Sequence, residues 1–301
     1  MKRFIIFVIS FLIPILLLGV VLEVFIRKIP NDYISKADYL NKNANTIETL
    51  ILGSSHALYG VNPDYLNGIA YNASFVSQTP DLDLAILKQY ESEFQSLKNV
   101  VIRLSYATLF EKLSDTSEDW RLKDYNLYFN LKQDYKFKYN SELLSVKLKT
   151  NLKRLYNYYI LEESEQNISE HGWGINSGLK PPNDLDEAGK KAAIRHTADD
   201  FEWYKENTMI FEEIAEFCQQ GNIKLIVVTF PTISAYGANM KKDQFEKTLE
   251  YGKFLETEYS NCRYYNFLNH PIFETEDFFD GDHLNAQGAK KMTDLINTVL
   301  N

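Results

Sequence analysis

Two short segments, far apart in the 301-residue chain, hold residue types that together can break an ester. The first is Leu52-Gly53-Ser54-Ser55-His56, where an apolar run stops at a glycine and a serine opens the next element. A serine at a strand-to-helix turn is exposed, and the local backbone N–H groups can stabilise an oxyanion. The second is Phe279-Asp280-Gly281-Asp282-His283-Leu284-Asn285, just ahead of the last helical pattern. Asp280 and His283 stand three apart, close enough for the carboxylate to orient the imidazole while the other ring nitrogen activates the serine. Taken singly, a Gly-Ser-Ser turn is an ordinary helix start and an Asp-x-x-His an ordinary capping arrangement. The pairing is more specific, because the serine follows the first strand and the Asp/His pair precedes the last helix.

Rival assignments use neighbouring residues. His56 adjoins the serine, but adjacent side chains on a turn diverge, so a polar neighbour or substrate contact is the better reading of it. Asp282 competes with Asp280 for His283. A metal site of Asp280, Asp282, His283 and His56 would make a metal-dependent hydrolase, since carboxylate and imidazole are good ligands; the residues favour the metal-free reading.

The elements that must position these groups follow an α/β order. Thr46–Leu52 predicts a strand, Gly68–Asn72 a second, Asp81–Leu97 a helix after Pro80, and Asn99–Leu104 a third strand. Further on come a helix over Phe201–Gln219, a continuous apolar strand over Ile223–Phe230, a helix over Lys242–Tyr259, a strand over Cys262–Phe267 and a helix over Asn285–Leu300. This is the order of a mostly parallel sheet, whose ligands bind at the carboxyl ends of the strands. Residues from about 111 to 197 break the pattern and predict a helical insertion, because structureless loops of that length are rare inside domains. His171, Trp173, Arg195 and His196 fall in it and are expected to be structural. The aromatic clusters Tyr125–Phe129 and Tyr156–Tyr159 are expected to hold a helical layer.

Phe4–Ile26 is apolar apart from Glu23 and is long enough to span a bilayer, which needs about 20 residues. No small-x-small cleavage site follows Leu22, which favours a retained anchor over a signal peptide. The expected division is an anchor over 1–30 and an α/β domain over 31–301. Lys2 and Arg3 balance Arg27 and Lys28, so flanking charge sets no orientation. The net charge of -9 argues against a nucleic-acid partner. Cys218 and Cys262 fit neither a metal spacing nor a disulfide scaffold.

With Gly53-Ser54-Ser55 and Asp280-Gly281-Asp282-His283 in these places, the chain resembles the SGNH (GDSL-type) hydrolase superfamily over Ile47–Leu109 and Ile223–Leu300. It is most similar to the membrane-anchored bacterial cell-envelope branch, which includes the D-alanine transfer and alginate O-acetylation proteins and lacks the usual first-block Asp. The resemblance implies a flavodoxin-like three-layer fold with Ser55 as nucleophile, His283 as base and Asp280 as its orienting carboxylate. It also implies acyl chemistry, with acetyl the expected group, on a cell-envelope or secreted polysaccharide. The domain would lie on the extracytoplasmic side, with a membrane-embedded acyl donor protein as a partner and no cofactor required. The family's third-block Gly-x-Asn is missing after Arg103. Asn72 is the expected substitute oxyanion donor, with Ser105, Ser77 and His56 as further substrate-side candidates. A catalytically weak module that binds or scaffolds a polysaccharide assembly complex is the alternative.

Overall fold

A computed structural model describes residues 1–131, 136–176 and 180–300. The strands are β1 (Thr49–Leu52), β2 (Ala70–Asn72), β3 (Asn99–Arg103), β4 (Lys224–Thr229) and β5 (Cys262–Asn266). The helices are α1 (Lys2–Arg27), α2 (Asp32–Asn43), α3 (Ser55–Gly60), α4 (Pro80–Gln89), α5 (Leu122–Tyr128), α6 (Glu142–Ser145), α7 (Leu148–Ile160), α8 (Leu185–Arg195), α9 (Tyr204–Gln220), α10 (Ser234–Ala238), α11 (Lys242–Glu258) and α12 (Ala286–Leu300). They fall into two compact units, one of Met1–Asp38 with Ser117–Gln166, the other of Tyr39–Thr116 with Asn167–Asn301.

The larger unit is built on a five-stranded sheet of order β2-β1-β3-β4-β5, and every pairing is parallel. That order is the flavodoxin-like one, with its switch point between β1 and β3. Both faces of the central strands are apolar, as a parallel sheet requires: Leu50, Ile51, Val100, Val101, Leu225 and Ile226 are all fully buried. Successive side chains alternate between faces. Ile51, Val101, Ile226 and Val228 therefore share one face, where they cluster with Ala57 of α3 and Met292 and Ile296 of α12. Fully burying one such side chain stabilises the fold by about 1.5–3 kcal/mol. α9 packs on β4 and touches α4 and α11. Cys218 and Cys262 are buried free thiols.

The helix expected over Asp81–Leu97 ends at Gln89. Glu91 and Glu93 would place negative charge at the carbonyl end of a longer helix, where the macrodipole disfavours it. β1 is shorter than expected because Ala44–Thr46 forms a 3-10 turn.

In the smaller unit, α1 is a single helix of 26 residues with mean hydropathy 3.2 over its best window, long and apolar enough to cross a membrane. The same unit contains a buried charge network. Glu142 is fully buried and accepts hydrogen bonds from Arg154 at 2.8 Å and Tyr128 at 2.6 Å, with the Lys123 ammonium at 3.1 Å. A buried carboxylate is tolerable only with partners of this kind.

Candidate active site

The parallel strands end on one edge, and the turn after β1 delivers Ser55 there. Gly53 has φ +122°, and a Cβ on it would lie 2.6 Å from the Cβ of Arg103 on β3, so only glycine lets the chain turn this tightly. The Gly53 N–H donates to Asp83 Oδ1 at 2.8 Å. Ser54 stands outside α3 in an extended conformation, and Ser55 is its first residue. Between Ile51 and Leu58 only Ser55 is not buried.

The second segment is a closed loop ahead of α12. Phe278 and Leu284 form an antiparallel bridge, and the Phe279 N–H donates to the His283 carbonyl at 2.8 Å. Gly281 is obligatory here too, since a Cβ would meet the Gly189 nitrogen of α8 at 2.2 Å. Asn285 caps α12, its Oδ1 accepting from the backbone N–H groups of Gln287 and Gly288. Asp280 and His283 are thereby left for other work.

These loops bring the three groups together. His283 Nε2 lies 2.7 Å from Ser55 Oγ, and His283 Nδ1 lies 3.0 Å from each Asp280 oxygen. Asp280 Oδ1 also accepts from the Asp282 and His283 backbone N–H groups at 3.0 and 2.9 Å, which fixes the carboxylate. With Nδ1–H donating to Asp280, the Nε2 lone pair faces the serine hydroxyl, the tautomer a general base needs. Asp280, Asp282 and His283 also place ligand atoms within 4.8 Å of one another. A cation taken there through His283 Nδ1 would displace the proton that Asp280 holds.

The expected oxyanion donors are a different matter. Asn72 is fully buried, and its Nδ2 donates to the carbonyls of Ala57 and Val61, both at 2.9 Å. Its Oδ1 accepts from the Ser74 N–H. Asn72 ties β2 to α3 and has no amide hydrogen to spare, which corrects its assignment as a donor to substrate. Ser105 turns inward as well: its N–H donates to Thr108 Oγ1 at 2.7 Å, and its hydroxyl lies 3.1 Å from the same oxygen. The Ser55 N–H lies at the first turn of α3, where no intrahelical carbonyl is available to it.

No family model matches this chain, and no curated protein matches it. Among solved structures it is similar to a candidate acylhydrolase from Bacteroides fragilis, at 13% identity and TM-score 0.41, covering 87% of this chain and 94% of that one. It is similar to a GDSL-like lipase from Bacteroides thetaiotaomicron, at 13% identity and TM-score 0.41, covering 89% and 98%. A candidate platelet activating factor from Streptococcus pneumonia aligns at 10% identity and TM-score 0.40, covering 98% and 99%.

Around the three residues lies a buried polar cluster that the sequence does not announce. Asp282 is 3% exposed, and its Oδ2 accepts no hydrogen bond from the described residues. Instead it is ringed by His56 Nε2 at 3.7 Å, Arg195 Nη2 at 3.8 Å and His196 Nδ1 at 3.9 Å. His56 Nδ1 in turn faces Arg103 Nη1 at 3.5 Å. Burial, then the charges of His283 and Arg103, hold His56 well below the usual histidine range. His196 is pushed down to about 3, chiefly by burial, and its Nδ1 lies 2.8 Å from the Tyr236 hydroxyl. His171 and Trp173, by contrast, serve the fold: His171 Nδ1 meets Asp64 at 2.5 Å, and the Trp173 indole donates to the Tyr59 carbonyl at 2.9 Å.

Proposed function

We propose that the chain is an SGNH-type serine enzyme that moves an acyl group, with Ser55 as nucleophile, His283 as general base and acid, and Asp280 as the carboxylate that orients it. The observation that carries this reading is the continuous line Ser55 Oγ, His283 Nε2, His283 Nδ1, Asp280, with contacts of 2.7 and 3.0 Å. His283 takes the Ser55 proton as Oγ bonds to the ester carbon, and the carbonyl oxygen gains charge against the Ser55 N–H. His283 then gives the proton to the departing alkoxide. Water or a sugar hydroxyl, deprotonated by the same His283, then bonds to the acyl carbon, and as the bond to Ser55 Oγ breaks His283 returns the proton to that oxygen. No cofactor enters these steps.

Acetyl is the proposed acyl group and a cell-envelope or secreted polysaccharide the proposed acceptor. The helix α1 favours a chain held at a membrane; the extracytoplasmic side for the sheet-bearing unit and an embedded acyl donor protein are proposed on the family resemblance alone. The decisive test is acetate release from p-nitrophenyl acetate by the full chain. Ser55→Ala and His283→Ala are each expected to lower kcat by at least about 1000-fold, the scale on which such residues act elsewhere. Equal rates in wild type and both variants would remove the catalytic reading.

One observation favours the binding-module alternative. Asn72 and Ser105 are committed elsewhere, and loss of one oxyanion donor costs about 100- to 1000-fold. Reaction with a serine-directed phosphonate separates the two: labelling at Ser55 goes with the enzyme, and a folded, unlabelled chain with the module.

A further inference from the structure

The smaller unit carries an apolar face for which the larger unit's chemistry offers no use. We propose that α6 and α7 lie in the plane of the membrane beside α1, with the exposed side of α7 sunk into the headgroup layer of a bilayer containing anionic lipid. This rests on the reading of α1 as a spanning helix.

The first observation is what Glu23, the single charge within the apolar run, is for. Its carboxylate accepts from Ser141 Oγ at 2.9 Å and from the backbone N–H groups of Glu142 and Leu143 at 3.0 and 2.8 Å. Arg27 donates to Glu23 at 2.6 Å and to the Asn140 carbonyl at 3.0 Å. The Tyr159 hydroxyl donates to the Phe25 carbonyl at 3.0 Å, and the two rings meet edge to face at 5.5 Å. Leu143 reaches back to Gly19, where a Cβ would stand 3.7 Å from Leu143 Cδ2. The last two turns of α1 are thus built into α6 and the end of α7, an arrangement that a removable leader would leave unmet.

The second observation is depth. At about 1.5 Å per residue, Phe4–Leu22 fills the roughly 30 Å hydrocarbon layer, which puts Glu23–Arg27 at its edge. Whatever packs against Gly19–Arg27 stands at that same edge. There α7 presents Leu148, Leu152, Tyr156, Tyr159 and Ile160, spaced as one helical stripe and 41–65% exposed, with Leu144 of α6 alongside at 53%. A stripe of this kind facing water is unfavourable, and tyrosine is, with tryptophan, enriched at bilayer interfaces.

The third is charge. Lys149 and Lys153 lie together along one edge of the stripe and are exposed. Within a chain of net charge -9, residues 136–154 hold six basic residues against Glu142 alone. An apolar face edged with lysine is the pattern of a helix lying at an anionic interface, its apolar side about 5–10 Å deep.

The test uses the full chain in vesicles of phosphatidylcholine and phosphatidylglycerol, with a fluorophore on Leu152→Cys or Tyr156→Cys; Cys218 and Cys262 are buried and stay unlabelled. The expected result is several-fold stronger quenching by lipid carrying a nitroxide high on its acyl chain than by an aqueous nickel chelate. Quenching by the chelate instead overturns the proposal, and so does protection from both, which would mean that protein covers the face. Lys149→Glu with Lys153→Glu is expected to lower the lipid quenching in anionic vesicles, and no change would remove the anionic-lipid part. A label at Leu12→Cys reports separately on α1: without lipid quenching there, the spanning reading itself falls.

Discussion

Two carboxylates face the His283 imidazole, and they differ in kind. Asp280 hydrogen-bonds Nδ1 and is held down to about 2, because the bond and charge of His283, with two backbone N–H groups, outweigh burial. Asp282 is pushed up, chiefly by burial, and lies 3.7 Å from Nδ1 without a hydrogen bond to it. Burial pulls His283 down, but the charge of Asp282 and then the bond and charge of Asp280 outweigh it, so His283 stands above the ordinary histidine value. Below about pH 6.5 that shift stabilises the folded chain in full, and the contribution fades as pH climbs through the raised value. The base must be neutral to act, so kcat/KM is expected to rise with pH through a midpoint above about 6.5. Asp282→Asn is expected to move that midpoint to lower pH while leaving the Ser55 contact in place; a pH profile identical to wild type would show that Asp282 exerts no field on the base. Asp280→Asn is expected to cost far more, up to about 10,000-fold in kcat by analogy with serine proteases, because the wrong tautomer is then favoured. That Ser55, Asp280 and His283 come together was legible in the sequence, since each sits in a short pattern at the start of a helix or just ahead of one. The Asp282 surroundings were not, because His56, Arg103 and His196 reach them from three separate segments. Asn72 was misread for a related reason: sequence places it at the sheet's active edge but does not say where its amide points.

At the scale of elements, the turn after β1 depends on residues on either side of it. Gly53→Ala is expected to lower stability by about 1–3 kcal/mol, since a positive φ and the 2.6 Å approach to Arg103 both oppose a side chain. Thermal melting with and without the substitution measures it, and an unchanged melting temperature would mean that the turn can relax. Asp83, which accepts from Gly53 N–H and from Gln78 Nε2 at 2.5 Å, is 2% exposed, and burial pushes its carboxyl up to about 7. An unfolded Asp titrates near about 3.9, so between about pH 4 and pH 7 the folded chain holds the extra proton. Stability from this group therefore falls as pH rises through that window. Asp83→Asn is expected to flatten this slope, as read by denaturant unfolding at pH 5 and pH 7. The sheet was readable because β3 and β4 are apolar runs of strand length, and the parallel order followed from the intervening helices. The end of α4 was overrun because its apolar spacing continues through Tyr90 and Phe94, while the acidic residues that stop it carry no periodic signal. Asp83 gave no warning either, as an acidic residue in the first turn of a helix is normally solvated.

For the whole molecule, the apolar N-terminal run was plain from composition, whereas its partners were not. Ser117–Gln166 groups with α1 in one unit, and nothing in the local patterns of that insertion points to contacts with Glu23 more than a hundred residues earlier. The order in which the active groups occur along the chain has a consequence for the chain while it is being made. His283 follows 228 residues behind Ser55, a delay of roughly 10–45 s at ordinary rates of synthesis. Throughout that interval the nascent chain has a serine with no base to deprotonate it. If Ser55 is the nucleophile we propose, arrival of the last loop is what switches its hydroxyl on, and a product stopped at Phe278 is expected to bear α1 yet leave esters untouched. On the proposed reading, the late position of the base along the chain therefore delays any acyl chemistry until translation is all but complete.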